Sequence, residues 1–401
     1  MGTRFWRAFG AYSVNAVGDE FYALALPLVL LGIGYSAASA TFLRAVVVGS
    51  TVAAGFLIGY VVDRHAPDRL LTASYLGSAA ALGAAVAAIA AGADGYLVCL
   101  FAGGALGLMA ALSAAGMDAG VPRLVGAPDR VPRGYSLVES ARTAAVILGP
   151  AAAGVAAASR DLAVVVGIAA TAFALAAGLG WNRRAPAPAR RSPAPAWQQI
   201  AQGLRAVVRR RRLRLGITLS LLVNVTLGAE QPLFLARMVQ DFALSPATTS
   251  AVVVTAGVVA VAASLVLARW ATTTSPRRVM LGAVAVIALC AIGVGAVDHP
   301  WVAAALYCAL SAATVCYTVH WRTYRQGIVE PELLGRVSAT SRSLAYSGVV
   351  VGAVVVGALQ QGGAATGALL VAGGVLCAAG VAAVTVAVQR ADRAVAPGSA
   401  A

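Results

Sequence analysis

Three carboxylates lie inside long apolar stretches of the sequence, where an acidic side chain is costly to keep. Asp19, Glu20 and Glu230 are flanked by runs of Ala, Leu, Val and Gly. A carboxylate at the centre of a membrane helix costs about 2.5–3.5 kcal/mol on insertion scales, so its retention indicates a use. A carboxylate shielded from water can take up and release a proton near neutral pH. The pattern predicts that these residues hold a proton, the cationic group of a ligand, or both in alternation. The alternative is a structural ion pair with an arginine.

Other polar side chains accompany the first two carboxylates on the same predicted helix. Helical spacing places four of them on one face, namely Tyr12, Asn15, Asp19 and Tyr22. This polar stripe is predicted to line a binding cavity. Glu20 lies about 100° round the helix from Asp19, so the two acids are expected to have different partners. The local match of Gly18-Asp19-Glu20 with Gly228-Ala229-Glu230 puts Glu20 and Glu230 at equivalent places in two halves of the chain.

Arginines inside the apolar stretches are the candidate partners of these acids, namely Arg44, Arg142 and Arg342. Glu139 and Arg142 are separated by one helical turn, and side chains at that spacing can pair with each other. Through the internal repeat described below, Glu139 also corresponds to Arg342. A contact between the two halves of the chain is therefore the alternative to the local pair.

The composition excludes a soluble protein. Apolar residues make up 60% of the chain, charged residues make up 11%, and the mean hydropathy is +0.82. No soluble core could bury that much apolar surface, so the chain is predicted to cross a membrane many times. The net charge of +15 comes from arginines between the apolar runs. That placement is typical of cytoplasmic loops in membrane proteins, and it argues against a nucleic-acid partner.

Nothing in the sequence indicates a cofactor, a bound metal or an enzyme. The 5 cysteines show no CxxC spacing, which argues against both a disulfide framework and a metal site. No glycine-rich phosphate-binding loop is present, so ATP is not expected to supply energy.

Apolar runs of about 20 residues are long enough to cross a bilayer as helices. The sequence contains twelve such runs, separated by turn signals, at 8–33, 41–62, 70–91, 95–117, 136–158, 162–181, 215–236, 247–268, 279–297, 301–320, 338–359 and 366–388. Arginines cluster in every second loop, whereas the opposite loops carry only Arg160 and Arg237. This asymmetry predicts that both termini are cytoplasmic.

The chain is predicted to be all-α and to consist of two six-helix halves. Residues 125–154 and 328–357 match at a constant offset, including Pro128 with Pro331, Arg133 with Arg336, and Gly149 with Gly352. Such a match indicates a duplicated unit. The predicted domains are an N-terminal half at 1–181, a cytoplasmic linker rich in Pro, Ala and Arg at 182–214, a C-terminal half at 215–388 and a tail at 389–401. A basic amphipathic helix is expected within the linker, from Gln198 to Arg214, with Ile200, Leu204 and Val208 on its apolar side.

Two motifs resemble those of the major facilitator superfamily. The first is the loop after the second apolar run, with Gly59, Asp63, Arg64 and Arg69, although residues 65–68 depart from the family pattern. The resemblance implies a gating contact between this loop and the start of the eleventh helix, near Arg336. The second is Gly149-Pro150 followed by Gly154, which resembles the fifth-helix motif of exporting branches, with Ala145 and Ala153 in place of two glycines.

Two further segments resemble the enterobactin-exporter and macrolide-efflux branch of that superfamily, namely Arg325-Gln326 through Pro331-Glu332-Leu333-Leu334-Gly335-Arg336, and Gly18-Asp19 followed by Ala25-Leu26-Pro27. The resemblance implies a secondary active transporter of a bacterial inner membrane that exports a drug, antibiotic or secondary metabolite in exchange for protons, by alternating access. The expected partners are a small-molecule substrate, protons and membrane lipids, and the chain is expected to act as a monomer. Two alternatives remain open, namely uptake of a metabolite by the same fold and a membrane sensor or scaffold that transports nothing.

Overall fold

The computed structural model describes residues 1–125, 128–181, 204–205, 207–270, 275–326, 328–329 and 331–395. Twelve long helices make up most of this part of the chain: α1 (Thr3–Gly32), α2 (Ala37–Arg64), α3 (Pro67–Ala90), α4 (Gly95–Val125), α5 (Val131–Ala157), α6 (Leu162–Gly180), α7 (Arg211–Ala236), α8 (Pro246–Trp270), α9 (Pro276–Ala296), α10 (Pro300–Gln326), α11 (Pro331–Gln361) and α12 (Thr366–Val395). A short 3₁₀ turn precedes α5 at Pro128–Arg130. The described residues contain no strand.

The predicted all-α membrane fold is confirmed. All 12 helices contain a segment long and apolar enough to cross a bilayer. Several helices begin earlier than the apolar runs predicted, because polar and aromatic residues continue the helix beyond its apolar core. The helix α1, for example, includes Arg4, Trp6 and Arg7, and α11 begins at Pro331. Proline suits that first position because its missing N–H would have no helical partner there.

Local signals explain where the helices begin and end. The Ser36 hydroxyl caps α2 by accepting a hydrogen bond from the Ser39 amide at 3.3 Å. The Asp161 carboxylate caps α6 by accepting from the Ala163 amide at 2.8 Å. Side-chain caps of this kind satisfy amides that the helix itself leaves unpaired. Gly92 and Gly363 end α3 and α11 with φ of 85° and 88°, a conformation that favours glycine.

The end of α7 differs from the prediction. The sequence predicts Arg237 in the outer loop after the apolar run at 215–236, but the helix continues through it as a π-helical turn at Arg237–Asp241. The guanidinium group of Arg237 is buried and donates a hydrogen bond to the Val297 carbonyl, with Asp298 3.7 Å away. A charged residue can extend an apolar helix in this way when a backbone carbonyl and a carboxylate receive its donors.

The chain divides into two compact units. Unit 1 comprises the described residues of Met1–Gln199 together with Met238–Val254, and unit 2 comprises those of Ile200–Arg237 and Thr255–Ala401. In unit 1, α1 packs against α5 and α6, and α3 packs against α4 and α6. In unit 2, α7 packs against α11 and α12, and α9 packs against α10 and α12. These four pairs of helices therefore occupy equivalent positions in the two predicted halves.

The domain boundaries stay a prediction, because much of the predicted linker and tail lies outside the described residues. Ile200 of the predicted amphipathic helix also lies outside the described residues. The other two residues of the predicted apolar side, Leu204 and Val208, are exposed. The neighbouring Val207 is buried in the core of unit 2, so the side that packs differs from the predicted apolar side.

Candidate functional site

The polar stripe of α1 contains a buried amide bonded to a carboxylate. The Asn15 side-chain nitrogen donates to Asp19 Oδ2 at 2.8 Å and to Ser113 Oγ of α4 at 3.4 Å. Asn15 is only 3% exposed. Because the two residues are one turn apart, the helix itself fixes their spacing. The result is a carboxylate in mid-helix with a neutral donor beside it.

Glu20 has different surroundings from Asp19. The guanidinium group of Arg44, on α2, lies close enough to Glu20 for a favourable charge interaction. On its other side Glu20 meets α5, where Gly149 leaves no room for a side chain. A Cβ atom added to Gly149 would lie 2.5 Å from Glu20 Cβ and 2.7 Å from the Phe21 nitrogen. Glu20 therefore meets α2 and α5, whereas the hydrogen bond of Asp19 is made within α1.

Tyr12 belongs to a cluster of charged residues that joins α1, α4 and α5. Arg142 Nε donates to the Tyr12 hydroxyl at 2.5 Å, and the guanidinium carbon lies 5.7 Å from the centre of the Tyr12 ring. Arg142 also lies 3.5 Å from Asp118 and 3.8 Å from Glu139. The local Glu139–Arg142 contact therefore exists, but Arg142 is shared among three partners. Asp118 is the residue that sequence reasoning missed, because its partner is on another helix.

Tyr22, the last member of the predicted stripe, is packed among helices. It is 4% exposed, and its hydroxyl lies near Gly103 of α4. No hydrogen-bond partner for this hydroxyl occurs in the part of the chain that the structure describes. The structure therefore places Tyr22 in an interface between helices and brings Asn15 and Asp19 together.

The fifth-helix motif forms a seam of close backbone contacts. Gly149 meets α1 as described above. Beyond it, the Pro150 carbonyl accepts a hydrogen bond from the Ser250 hydroxyl, and Gly154 packs directly on the Ser250 side chain. All three belong to unit 1, which includes the first turns of α8. Small residues permit such contacts because their backbones can approach closely.

The predicted gating residues lie largely beyond what the structure describes. The helix α2 ends at Arg64. The surroundings of Gly59 and the side chains of Asp63, Arg64 and Arg336 lie outside what the structure describes. Arg69 is exposed in the first turn of α3. The gating contact stays a prediction.

Arg342 is exposed on α11, in a basic cluster of unit 2. Burial, together with the guanidinium groups of Arg322 and Arg342, lowers the pKa of Arg325. The side chain of Arg325 stacks over the Trp321 ring at 5.8 Å. Three positively charged side chains thus lie close together near the C-terminal end of α10.

Glu230 lies at the wall of a cavity inside unit 2. The cavity has a volume of about 180 Å³ and is formed by α7, α9, α11 and α12. Glu230 is 8% exposed.

No group of His, Cys, Asp and Glu suited to holding a metal ion occurs among the described residues.

Comparison with known proteins identifies the family. The family model described as Major Facilitator Superfamily matches residues 8–353. The chain belongs to the major facilitator superfamily. Membership indicates a multi-pass membrane transporter that binds a small-molecule substrate. Among curated protein sequences, none matches the chain.

Solved structures of other major facilitator transporters share the fold. A mutant of the nucleoside transporter NupG is 13% identical, with a TM-score of 0.78, over 96% of this chain and 99% of that one. A bacterial homologue of the iron transporter ferroportin in an inward-facing state is 15% identical, with a TM-score of 0.65, over 95% and 100%. A POT family transporter in complex with a thioalcohol-conjugated peptide is 12% identical, with a TM-score of 0.70, over 96% of each chain. At these identities the likeness establishes the fold alone.

Proposed function

We propose that this transporter exports small amphipathic organic molecules, such as a drug, antibiotic or secondary metabolite, in exchange for protons. It works by alternating access, as a monomer in a bacterial inner membrane, with both termini in the cytoplasm. The observation that carries the proposal is the hydrogen bond from Asn15 to Asp19 in the middle of a membrane-spanning helix.

Asp19 is the residue to which we assign the coupling proton. As an anion it accepts the hydrogen bond from the Asn15 amide, and as a neutral acid it has a proton to donate. An Asn side chain carries both donors and an acceptor, so a rotation of the amide serves either state of Asp19. A carboxylate that can change protonation without losing its partner is suited to loading and releasing a proton.

Glu20 and Glu230 have the complementary role of holding charge. The guanidinium group of Arg44 lies near Glu20 and supplies a positive charge beside it. Glu230 lies against an apolar cavity, where a carboxylate attracts the cationic group of a substrate more strongly than it would in water. Proton uptake from the outer side then resets the acids as the substrate leaves.

Export is favoured over uptake by the seam on α5. Gly149 packs against the backbone of α1, Gly154 packs on the Ser250 side chain, and the Pro150 carbonyl accepts a hydrogen bond from the Ser250 hydroxyl. The sequence motif that these residues form resembles that of exporting branches, which is why we assign the outward direction.

The proposal is tested by ethidium accumulation in cells that express the wild-type protein, Asp19→Asn, Glu20→Gln or Glu230→Gln. Each is measured with and without a protonophore. The matched control is Asp129→Asn, because the Asp129 side chain is 78% exposed and outside the assigned roles. We expect wild-type cells and the control to accumulate less ethidium than cells with an empty vector. The protonophore and Asp19→Asn should both abolish that difference.

Other outcomes would overturn the proposal. Higher accumulation in wild-type cells would mean uptake. Equal accumulation in wild-type and empty-vector cells, with normal amounts of protein in the membrane, would remove ethidium-like cations from the substrates and favour a sensor or scaffold. Export that survives the protonophore would exclude proton coupling.

A further inference from the structure

The cavity beside Glu230 is built entirely from unit 2. Its walls come from α7, α9, α11 and α12, including Ala229 and Leu233 of α7, Val356 of α11 and Gly373 of α12. Protein interiors are packed nearly as densely as organic crystals, and voids larger than a water molecule are few. This cavity has a volume of about 180 Å³ and is open on one side. For scale, an enclosed apolar cavity of roughly 150 Å³ binds benzene.

The mouth of the cavity is apolar and open to the surroundings of the protein. Val355 and Leu359 of α11 and Leu376 of α12 line the cavity and are 50%, 49% and 43% exposed. Ala372, one turn before Leu376, is exposed as well. Exposed apolar side chains on membrane-spanning helices are suited to contact with lipid. A molecule dissolved in the bilayer could reach the cavity between α11 and α12 without passing through water.

The chemistry of the wall defines what fits inside. Among the described residues that line the cavity, Glu230 is the one ionisable group, and Thr226 is the one other polar side chain. The Thr226 hydroxyl donates a hydrogen bond to the Gly373 carbonyl at 3.0 Å, so its hydrogen already has an acceptor within the protein. The remaining wall is aliphatic. A complementary ligand thus has an apolar body and one positively charged nitrogen beside the carboxylate.

We propose that this cavity is a lipid-side binding site for a lipophilic amine, with the protonated nitrogen at Glu230 and the apolar body among α7, α11 and α12. The cavity's volume limits the ligand to about the size of a benzylamine. This inference rests on the proposed function only in assigning Glu230 to a cationic group. It adds a site within one half of the transporter and an entrance from the bilayer.

The test compares three ligands of one shape on the purified full-length protein in detergent micelles. These are 4-fluorobenzylamine, 4-fluorobenzyl alcohol and 4-fluorotoluene, whose binding is followed by fluorine NMR. We expect the amine to bind saturably and at least ten times more tightly than the alcohol or the toluene. Glu230→Gln should weaken amine binding at least tenfold and leave alcohol binding within a factor of two.

A second variant tests the entrance. Ala372→Phe places a bulky ring at the mouth of the cavity, on an exposed face where it does not disturb packing. It should weaken or abolish amine binding. The matched control is Ala379→Phe, which is on an exposed face of the same helix and does not line the cavity. The Ala379→Phe variant should bind the amine as tightly as the wild-type protein does.

Equal affinity for the amine and the toluene, unaffected by Glu230→Gln, would overturn the inference and mark the cavity as a groove for a lipid acyl chain. Amine binding unaffected by Ala372→Phe would overturn the lipid-side site. These results are separable from those on transport. Saturable, Glu230-dependent binding without ethidium export would refute the proposed function alone, whereas export without such binding would refute this inference alone.

Discussion

Gly149 of α5 lies directly against the backbone of Glu20 in α1. A Cβ atom at Gly149 would come within 2.9 Å of the Glu20 carbonyl carbon, which is too close for any real contact. The same relationship occurs in unit 2, where Gly352 of α11 packs against the backbone of Val225 in α7. The position of Glu20 is therefore set by how closely α5 approaches, and the fifth-helix motif and the acidic residue form one packing unit.

Gly149→Ala should force α1 and α5 apart. The added methyl group meets the backbone of Glu20 and Phe21, which cannot move aside as a flexible side chain could. Overpacking of this kind typically costs about 1–3 kcal/mol, so we expect a lower melting temperature of the purified protein in detergent. Gly167→Ala on α6 is the control, because no atom lies within 4 Å of its added Cβ. Equal melting temperatures for the two variants would show that the α1–α5 contact is looser than described.

Tyr12→Phe and Arg142→Gln should show strong coupling in a double-mutant cycle. Arg142 Nε donates to the Tyr12 hydroxyl at 2.5 Å. Hydrogen bonds to charged groups contribute about 1.5–3 kcal/mol, so we expect a coupling energy in that range from chemical unfolding in detergent. The Glu139–Arg142 pair, whose side chains are 63% and 37% exposed, should couple by less than about 1 kcal/mol. A larger energy for the exposed pair would contradict this ranking.

Arg237→Met should destabilise unit 2. The buried guanidinium group donates to the Val297 carbonyl, which would lose this donor. A hydrogen bond to a charged group contributes about 1.5–3 kcal/mol, so the free energy of unfolding should fall by about that amount. Arg278→Met is the comparison, because Arg278 is exposed at the start of α9. Its unfolding should match that of the wild type, and a similar loss in both variants would argue for a general effect of charge.

Labelling of introduced cysteines should establish the orientation. In a variant without the 5 native cysteines, Ala93→Cys and Asp298→Cys should react with a membrane-impermeant maleimide added to intact cells. His65→Cys and Ser275→Cys should react only after the cells are permeabilised. All four positions are exposed turns or helix ends between spanning helices. The reverse pattern of labelling would place both termini outside.

The number of helices and their approximate bounds were predictable from the sequence. Length and apolar content are local properties, and a bilayer accepts a helix on those grounds alone. The repeat around Gly149 and Gly352 was also visible, because it is carried by particular residues at a constant offset. Errors fell at helix ends such as Arg4 and Arg237, where polar residues continue a helix instead of ending it.

The neighbours of each side chain were decided only by the tertiary structure. In a membrane protein the faces toward lipid and toward other helices are both apolar, so their pattern does not tell which faces meet. The contact of Asp118 with Arg142 joins two helices, and no local spacing could have paired them. The cavity beside Glu230 is a further example, because it exists only where four helices leave a gap between them. The sequence by itself determined which segments cross the membrane and which acids they carry, whereas the packing of those segments decided what each acid faces.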